Sequence, residues 1–393
     1  PDTPGQTGKS PHVIPLALGL LGSDGTEMTE PQVLELSAAR QSVRFDGLPE
    51  RPVPSLNRGF SAPVTLERET DDAERAFLLA HDSDPFNRYE AGRLLGLRIA
   101  RAVIGGDAVP ATWTGALENL LADQALDPAF KAIALDAPGA DEVGADLAGD
   151  GIPVDPDAIH SAVTAMRLAL GQALAEPLRA TYDAMQVPGP YSPDADSAGR
   201  RALQNRCLSL LSAAGESGLA LADAQLAAAD NMSLALPALK ELVNHRAPTA
   251  GAHVAAFHEK WQADTLVVDK WLSLQATAPG AETLAAVEAL TAHSSFDWTN
   301  PNKFRSLIGA FAMANPTGFH QPSGAGYRFF TDWLIKLDAL NPQTTARLAG
   351  AFETWRRFTP DRRALMKAEM DRMVGLPSLS KNTREIVERI LAA

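Results

Sequence analysis

The sequence predicts a mainly helical protein, a right-handed α-superhelix of helical repeats preceded by a partial antiparallel β-sandwich. Three observations lead there. Near Glu67 the texture changes from short alternating runs broken by turns to apolar residues three and four apart. Beyond that point helix starts recur in one form, a polar residue followed by proline. The predicted helices are about 10 to 20 residues long and joined by short connections, as in stacked antiparallel pairs.

The elements follow in order. Residues 1–67 read as the β part: strands over His12–Leu21, Val33–Leu36, Ser42–Phe45 and Val64–Leu66, with Ser23-Asp24-Gly25 as a hairpin-type turn. Pro52, Pro54 and Pro63 flank the last run, where proline suits an edge or a strand start. About seven strands close a sandwich, so four imply that its early strands lie upstream. The chain opens at Pro1 without a basic or apolar leader, which reads as a boundary within a longer protein. Residues 68–393 read as the helical superhelix. Its starts are expected at Asp84-Pro85, Asp127-Pro128, Asp155-Pro156, Ser192-Pro193, Asn300-Pro301, Asn341-Pro342 and Thr359-Pro360. Ile159, Val163, Met166, Leu170, Leu174 and Leu178 step along one helix face, as do Phe304, Leu307, Ile308 and Phe311, and then Leu348, Phe352 and Trp355. No clean sequence repeat accompanies them, so the solenoid is a degenerate one.

Composition removes several classes of function. Thirty-five Lys and Arg against 48 Asp and Glu give a net charge of −13, with no basic cluster for nucleic acid or an anionic membrane. No apolar run approaches the ~20 residues of a membrane span. The one cysteine, Cys207, excludes an internal disulfide and reads as a buried small apolar residue.

The local motifs fall short of chemistry. Gly5-Gln6-Thr7-Gly8-Lys9-Ser10 holds the G-K-S of a phosphate loop, but its first glycine would fall at Thr3 and no strand precedes it. His258-Glu259-Lys260-Trp261-Gln262 has Gln262 where a zinc helix needs its second histidine, and His253 is five residues off, away from the ligand face. Gly324-Ala325-Gly326 reads as a helix start, and Met366, Met370 and Met373 as core packing. No catalytic residue and no metal ligand is assigned.

Longer blocks carry a resemblance. Ser295 to Phe311 (S-F-D-W-T-N-P-N-K-F-R-S-L-I-G-A-F) resembles a C-terminal signature of bacterial aminopeptidase N, the zinc-dependent gluzincin family. Phe60 to Leu66, Asn231-Met232-Ser233, Val268 to Ala276 (V-D-K-W-L-S-L-Q-A) and Asn341-Pro342 with Ala346-Arg347-Leu348 continue it in order. The resemblance implies the C-terminal portion of a four-domain enzyme: the end of a β-sandwich and an armadillo/HEAT-like helical domain. The family's H-E-x-x-H and G-A-M-E-N motifs are absent here, so this chain carries no cofactor, and zinc is expected in the missing catalytic domain. That domain and the N-terminal one are the implied partners, together with peptide substrates, in the cytoplasm. The helical domain is expected to close over the active site, gate peptide access and line the far end of the channel. Arg305 and Arg347 are the residues carried over as channel candidates. Arg305 lies about 100° round from Phe304, and Arg347 sits beside the Leu348 stripe. Such flanking guanidinium groups can meet a peptide carboxylate, or be solvated or paired with acids. The competing reading is an independent helical-repeat scaffold that binds a protein or peptide in its concave face.

Overall fold

The computed structural model describes residues 3–393. Its sheet has three antiparallel strands: β1 (Ile14–Leu21) lies between β2 (Gln32–Leu36) and β3 (Val53–Leu56). Ile14 pairs with Leu36 on one side, and Leu18 with Leu56 on the other. The turn after β1 closes through Gly25, whose φ of 83° favours glycine and whose Cα faces the His81 side chain. Leu16, Leu18, Leu20 and Leu21 of β1 are buried, whereas β2 stays exposed or half-buried. Neither outer edge pairs with another strand among the described residues.

Two expected strands are corrected. Ser42–Phe45 is loop, and Arg44 there pairs with Asp46 at 2.7 Å in the open; with nothing to bury, the run has no reason to join a sheet. Val64–Leu66 is also outside the sheet. The third strand is instead Val53–Leu56, in which Pro54 faces Leu20. An edge strand tolerates that proline because only one side of it needs ladder donors.

A small cluster of Leu21, Leu78 and Ala91 joins the sheet to the helices. Beside it Arg58 reaches Glu27 at 2.6 Å and Asp82 at 3.4 Å, so the joint is apolar with one charged clasp.

From Asp72 to Ala392 the chain is helical around one continuous core. Pro85, Pro128, Pro156, Pro301, Pro342 and Pro360 each open a helix. Asp84, Asp127, Asp155, Asn300 and Asn341 accept first-turn N–H groups, as N-caps should. Thr359 opens its helix without such a bond. Ser192-Pro193 is a correction: Ala195–Ala214 starts two residues later, where Asp194 accepts from the Ser197 N–H at 2.9 Å. Asp194 simply out-competes serine as an acceptor.

The apolar stripes keep their phase but not their continuity. Ile159 to Leu178 spans two helices, Pro156–Ala173 and Ala175–Ala184, broken at Leu174; all its members are buried except the half-buried Val163. Leu348 ends its helix, and tighter 3₁₀ turns bring Phe352 and Trp355 inward. Met366, Met370 and Met373 are fully buried.

The superhelix also closes on itself. The Val154 N–H donates to the Arg357 carbonyl at 2.8 Å, and the Thr359 N–H to the Val154 carbonyl at 3.1 Å. Arg362 pairs with Asp157 and donates to the His320 carbonyl at 2.8 Å. The His320 ring lies 4.3 Å from that of Phe358, and its Nδ1 is 2.9 Å from the Tyr327 hydroxyl. Burial, reinforced by Arg357 and Arg362, pushes His320 down to about 3, so it is neutral in the fold.

Candidate functional site

In a two-layer helical stack, alternate helices share one face. The helices Pro128–Ala134, Pro156–Ala173, Ala195–Ala214, Met232–Asn244 and Thr265–Ala276 line most of one groove, and at its amino-terminal end Tyr89 and Arg93 of Pro85–Ile104 and Glu142 of Ala140–Gly149 join them. The groove is three adjoining cavities of about 230, 670 and 450 Å³. The first two share Ile133, Asp136 and Arg206, and the last two share Leu236 and Lys240. Ile133 and Leu266 remain 58% and 67% exposed on it, which makes the surface amphipathic rather than merely wet.

Its charges are arranged unevenly. Asp136 accepts from Arg167 at 3.1 Å and Arg206 at 2.7 Å, and Arg206 also donates to the Ala132 carbonyl. Arg93 is held by Glu90 and Glu142 at 2.6 and 2.7 Å. Burial lowers the pKa of His160, favouring its neutral form. At the far end Asp269 pairs with Lys303 at 2.8 Å, and both are mostly buried. Lys240 and Lys270 are exposed and make no hydrogen bond or ion pair among the described residues.

Arg305 begins a π-helical turn, Arg305–Gly309, inside the run that holds Phe304, Leu307, Ile308 and Phe311. Such widened turns are frequent at functional positions. The extra residue is invisible to a three-and-four count, because the apolar residues stay buried. The turn leaves the Ser306 carbonyl to accept from the Ser273 hydroxyl at 2.9 Å, and Ser306 closes the end of the groove. Arg305 itself is exposed and held only by its own helix, through the Pro301 carbonyl at 3.2 Å and Asn302 Oδ1.

Arg347 is exposed, makes no ion pair among the described residues, and lines a separate cavity of about 220 Å³ with Glu353 and Arg389. The two arginine-bearing segments abut at Gly309: a Cβ built there would lie 3.5 Å from Leu348 and 3.7 Å from the Arg305 Cβ. Neither arginine is among the groove's lining residues, so the two candidates and the groove are neighbours and not one cavity.

The remaining motifs find plain roles. His258 Nε2 lies 2.8 Å from Ser295 Oγ, with its ring against Trp271 and His293. His253 turns to Asp223 at 2.8 Å. No three His, Cys, Asp or Glu side chains gather as a metal site among the described residues. Cys207 is fully buried, and burial pushes its thiol up to about 12. Lys9 of the phosphate-loop look-alike donates to Thr3 Oγ1 in an exposed loop. No described helix is long and apolar enough to cross a membrane.

Sequence reasoning missed Asp136, Arg167, Arg206 and Lys240. Lys270 stands inside the V-D-K-W block but carried no signal of its own. The signal that could have found them is one polar residue per alternate helix beside the apolar stripe, legible only once the inner helices are known.

Comparisons with known proteins agree with this architecture. A family model described as a domain of unknown function (DUF3458_C) with ARM repeats matches residues 72–392, and one described as a domain of unknown function (DUF3458) with an Ig-like fold matches residues 1–69. Aminopeptidase N of Caulobacter vibrioides is 40% identical over 379 residues, covering 95% of this chain and 44% of that protein. Aminopeptidase N of Escherichia coli is 36% identical over 407 residues, covering 100% and 46%. The crystal structure of Legionella pneumophila aminopeptidase A in complex with aspartic acid superimposes with a TM-score of 0.85 at 26% identity, covering 96% of this chain and 45% of that one. The chain thus spans a little under half the length of these relatives.

Proposed function

We propose, because this chain belongs to the bacterial aminopeptidase N family and matches that family's C-terminal part, that it is the non-catalytic portion of a zinc-dependent aminopeptidase acting on peptides in the cytoplasm. The observation that carries the reading is 40% identity sustained over 95% of the chain to a protein named aminopeptidase N. The helical domain closes over the catalytic part, limits access to peptides and lines the far end of the channel. The zinc and the bond-breaking groups belong to residues outside this chain. What this chain adds is positioning.

Arg305 and Arg347 hold the terminal carboxylate of the peptide. The exposure of both guanidinium groups supports this, as does the weak engagement of Arg305, whose two partners lie in its own helix. A two-pronged contact with a carboxylate is stronger than either neutral hydrogen bond it replaces. In the full-length protein, Arg305→Ala or Arg347→Ala should lower kcat/KM for a peptide with a free C-terminus by roughly tenfold or more. An aminoacyl anilide, which lacks that carboxylate, should be cleaved nearly as before. Equal losses on both substrates would refute the carboxylate role, and a full-length protein that releases no N-terminal residue with zinc bound would refute the whole reading.

A further inference from the structure

We infer that the cavity between the helices Met232–Asn244 and Thr265–Ala276 is a subsite for an acidic residue of a peptide, held between Lys240 and Lys270. The inference rests on the proposed reading that the helical domain lines a peptide channel; it takes this groove as part of that lining and adds the chemistry that the site prefers.

Charge is the first argument. The one carboxylate in the lining, Asp269, is committed to Lys303 at 2.8 Å, and Lys303 also donates to the Thr265 carbonyl. That pair is neutral as a unit. Glu241, next along from Lys240, turns into the adjoining cavity toward His245 at 3.5 Å. Lys240 and Lys270 therefore face one cavity with no compensating charge, in a chain of net charge −13. Their counter-charge has to come from outside.

Shape and polarity narrow the ligand. The cavity of about 450 Å³ is lined by the exposed Leu266 and the half-buried Leu236, with the buried Leu274 behind them, so a bound group gains by burying aliphatic surface as well as by pairing charge. The Ser273 hydroxyl already donates to the Ser306 carbonyl, and the Thr277 hydroxyl to the Ser273 carbonyl, so neither proton competes for the ligand. A carboxylate beside aliphatic carbon is what a glutamate or aspartate next to an apolar residue offers. The cavity continues through Leu236 and Lys240 into the larger one, so an extended chain can run on. Lysines on flexible stems bind as point charges and do not impose the fixed planar geometry of arginine. The preference is accordingly for acidic character and not for one residue at one register.

A carboxylate can also come from the end of a peptide, and the test separates the two sources. Fluorescein-labelled hexapeptides carrying a central Glu or Gln, each with a free or an amidated C-terminus, are titrated with the chain by anisotropy. The Glu peptides should bind roughly tenfold or more tightly than their Gln counterparts whether or not the end is amidated, a difference of about 1.4 kcal/mol. Raised salt should shrink that ratio in the wild-type chain. The variant K240M/K270M should abolish it with an unchanged circular dichroism spectrum, while Arg305→Ala should leave it intact. Equal binding of Glu and Gln peptides, no binding of either, or a preference that survives in K240M/K270M would overturn the inference. A preference that follows only the free C-terminus and is lost in Arg305→Ala would also overturn it, while supporting the carboxylate role of Arg305. Failure of that role shows separately, in the full-length enzyme, as equal losses on peptide and anilide.

Discussion

The two ends of the groove use positive charge in opposite ways. Toward the amino-terminal side the arginines of the groove, Arg93, Arg167 and Arg206, are spent on the protein itself, and so are Arg88 and Lys131 beside it. Arg88, 4% exposed, donates to the carbonyls of Leu79 and Ala80 and pairs with Asp123 at 2.8 Å. Lys131 donates to the Leu121 carbonyl, and Arg167 and Arg206 converge on Asp136. Arg88, Lys131 and Arg206 thereby finish helix ends, whose last carbonyls have no partner within the helix. Toward the other end, Lys240 and Lys270 are exposed and unpaired among the described residues, as is Arg347 outside the groove. Cations that hold a fold are satisfied within it. Cations left over are available to something else.

The largest effect should come from the satisfied end. Arg88→Ala removes one buried cation and leaves two carbonyls and Asp123 without it, a change of the kind that costs about 3–5 kcal/mol. Urea unfolding at neutral pH measures it, and a loss below about 1 kcal/mol would mean that water replaces the guanidinium at that joint. The same pair carries a pH signature. The hydrogen bond from Arg88, opposed by burial, holds the Asp123 carboxyl below its ordinary 3.8. Its contribution is full above about pH 4, falls as pH drops through the lower folded value, and should shrink in Arg88→Ala, where only the Ala125 N–H and Lys131 still favour the carboxylate.

The closure of the superhelix supplies the next effect, and here neutrality does the work of pairing. His320 has its folded value pushed down to about 3 from 6.5. Below 6.5 the unfolded chain binds a proton that the folded chain refuses, so stability falls as pH drops from 6.5 toward 3. His320→Gln should flatten that part of the stability–pH curve. An unchanged slope would place the acid sensitivity in groups other than His320.

A cation can also be held by rings. The Lys336 ammonium lies 4.4 Å from the Trp298 ring centre and 4.3 Å from that of Trp333. Lys336→Met should cost about 0.5–1 kcal/mol and shift tryptophan fluorescence. A loss of several kcal/mol would put this lysine with Arg88 among the cations that the fold requires.

The sequence made the helical part legible through its caps and stripes, because both are local. Asp84, Asp127, Asp155, Asn300 and Asn341 cap the helices that their prolines announce. The β part was less legible. Val53–Leu56 pairs only through tertiary context, and in the sequence its Pro54 reads as flanking a strand at Val64–Leu66 instead. Asn315-Pro316 followed the capping pattern unnoticed, and Asn315 also donates across to the Ala276 and Ala278 carbonyls. At the candidate site Arg305 and Arg347 came from resemblance. The π turn at Arg305 hid within a stripe that looked unbroken, and the ion pairs that separate spent cations from free ones join residues far apart in sequence. Asp136 meets Arg206 across 70 positions (206 − 136), a relation that no local pattern records.

The smallest expected effect is the one that sharpens the comparison most. Lys240→Met and Lys270→Met should each change stability by no more than about 0.5 kcal/mol, as exposed substitutions without partners usually do. Neither ammonium has a bond to lose, and the nearest carboxylate in the cavity is already neutralised by Lys303. Removing one of two like charges around a shared cavity relieves a weak repulsion, so a slight gain is the expected sign at low salt, fading as salt is raised. Lys303→Met provides the contrast within the same cavity. It strands Asp269 and the Thr265 carbonyl in a mostly buried setting, and it should cost about 3 kcal/mol or more. Paired urea titrations of the three variants at two salt concentrations measure the difference. If Lys240→Met or Lys270→Met proved as costly as Lys303→Met, these lysines would belong to the fold, and the division of the groove into spent and free charge would fail.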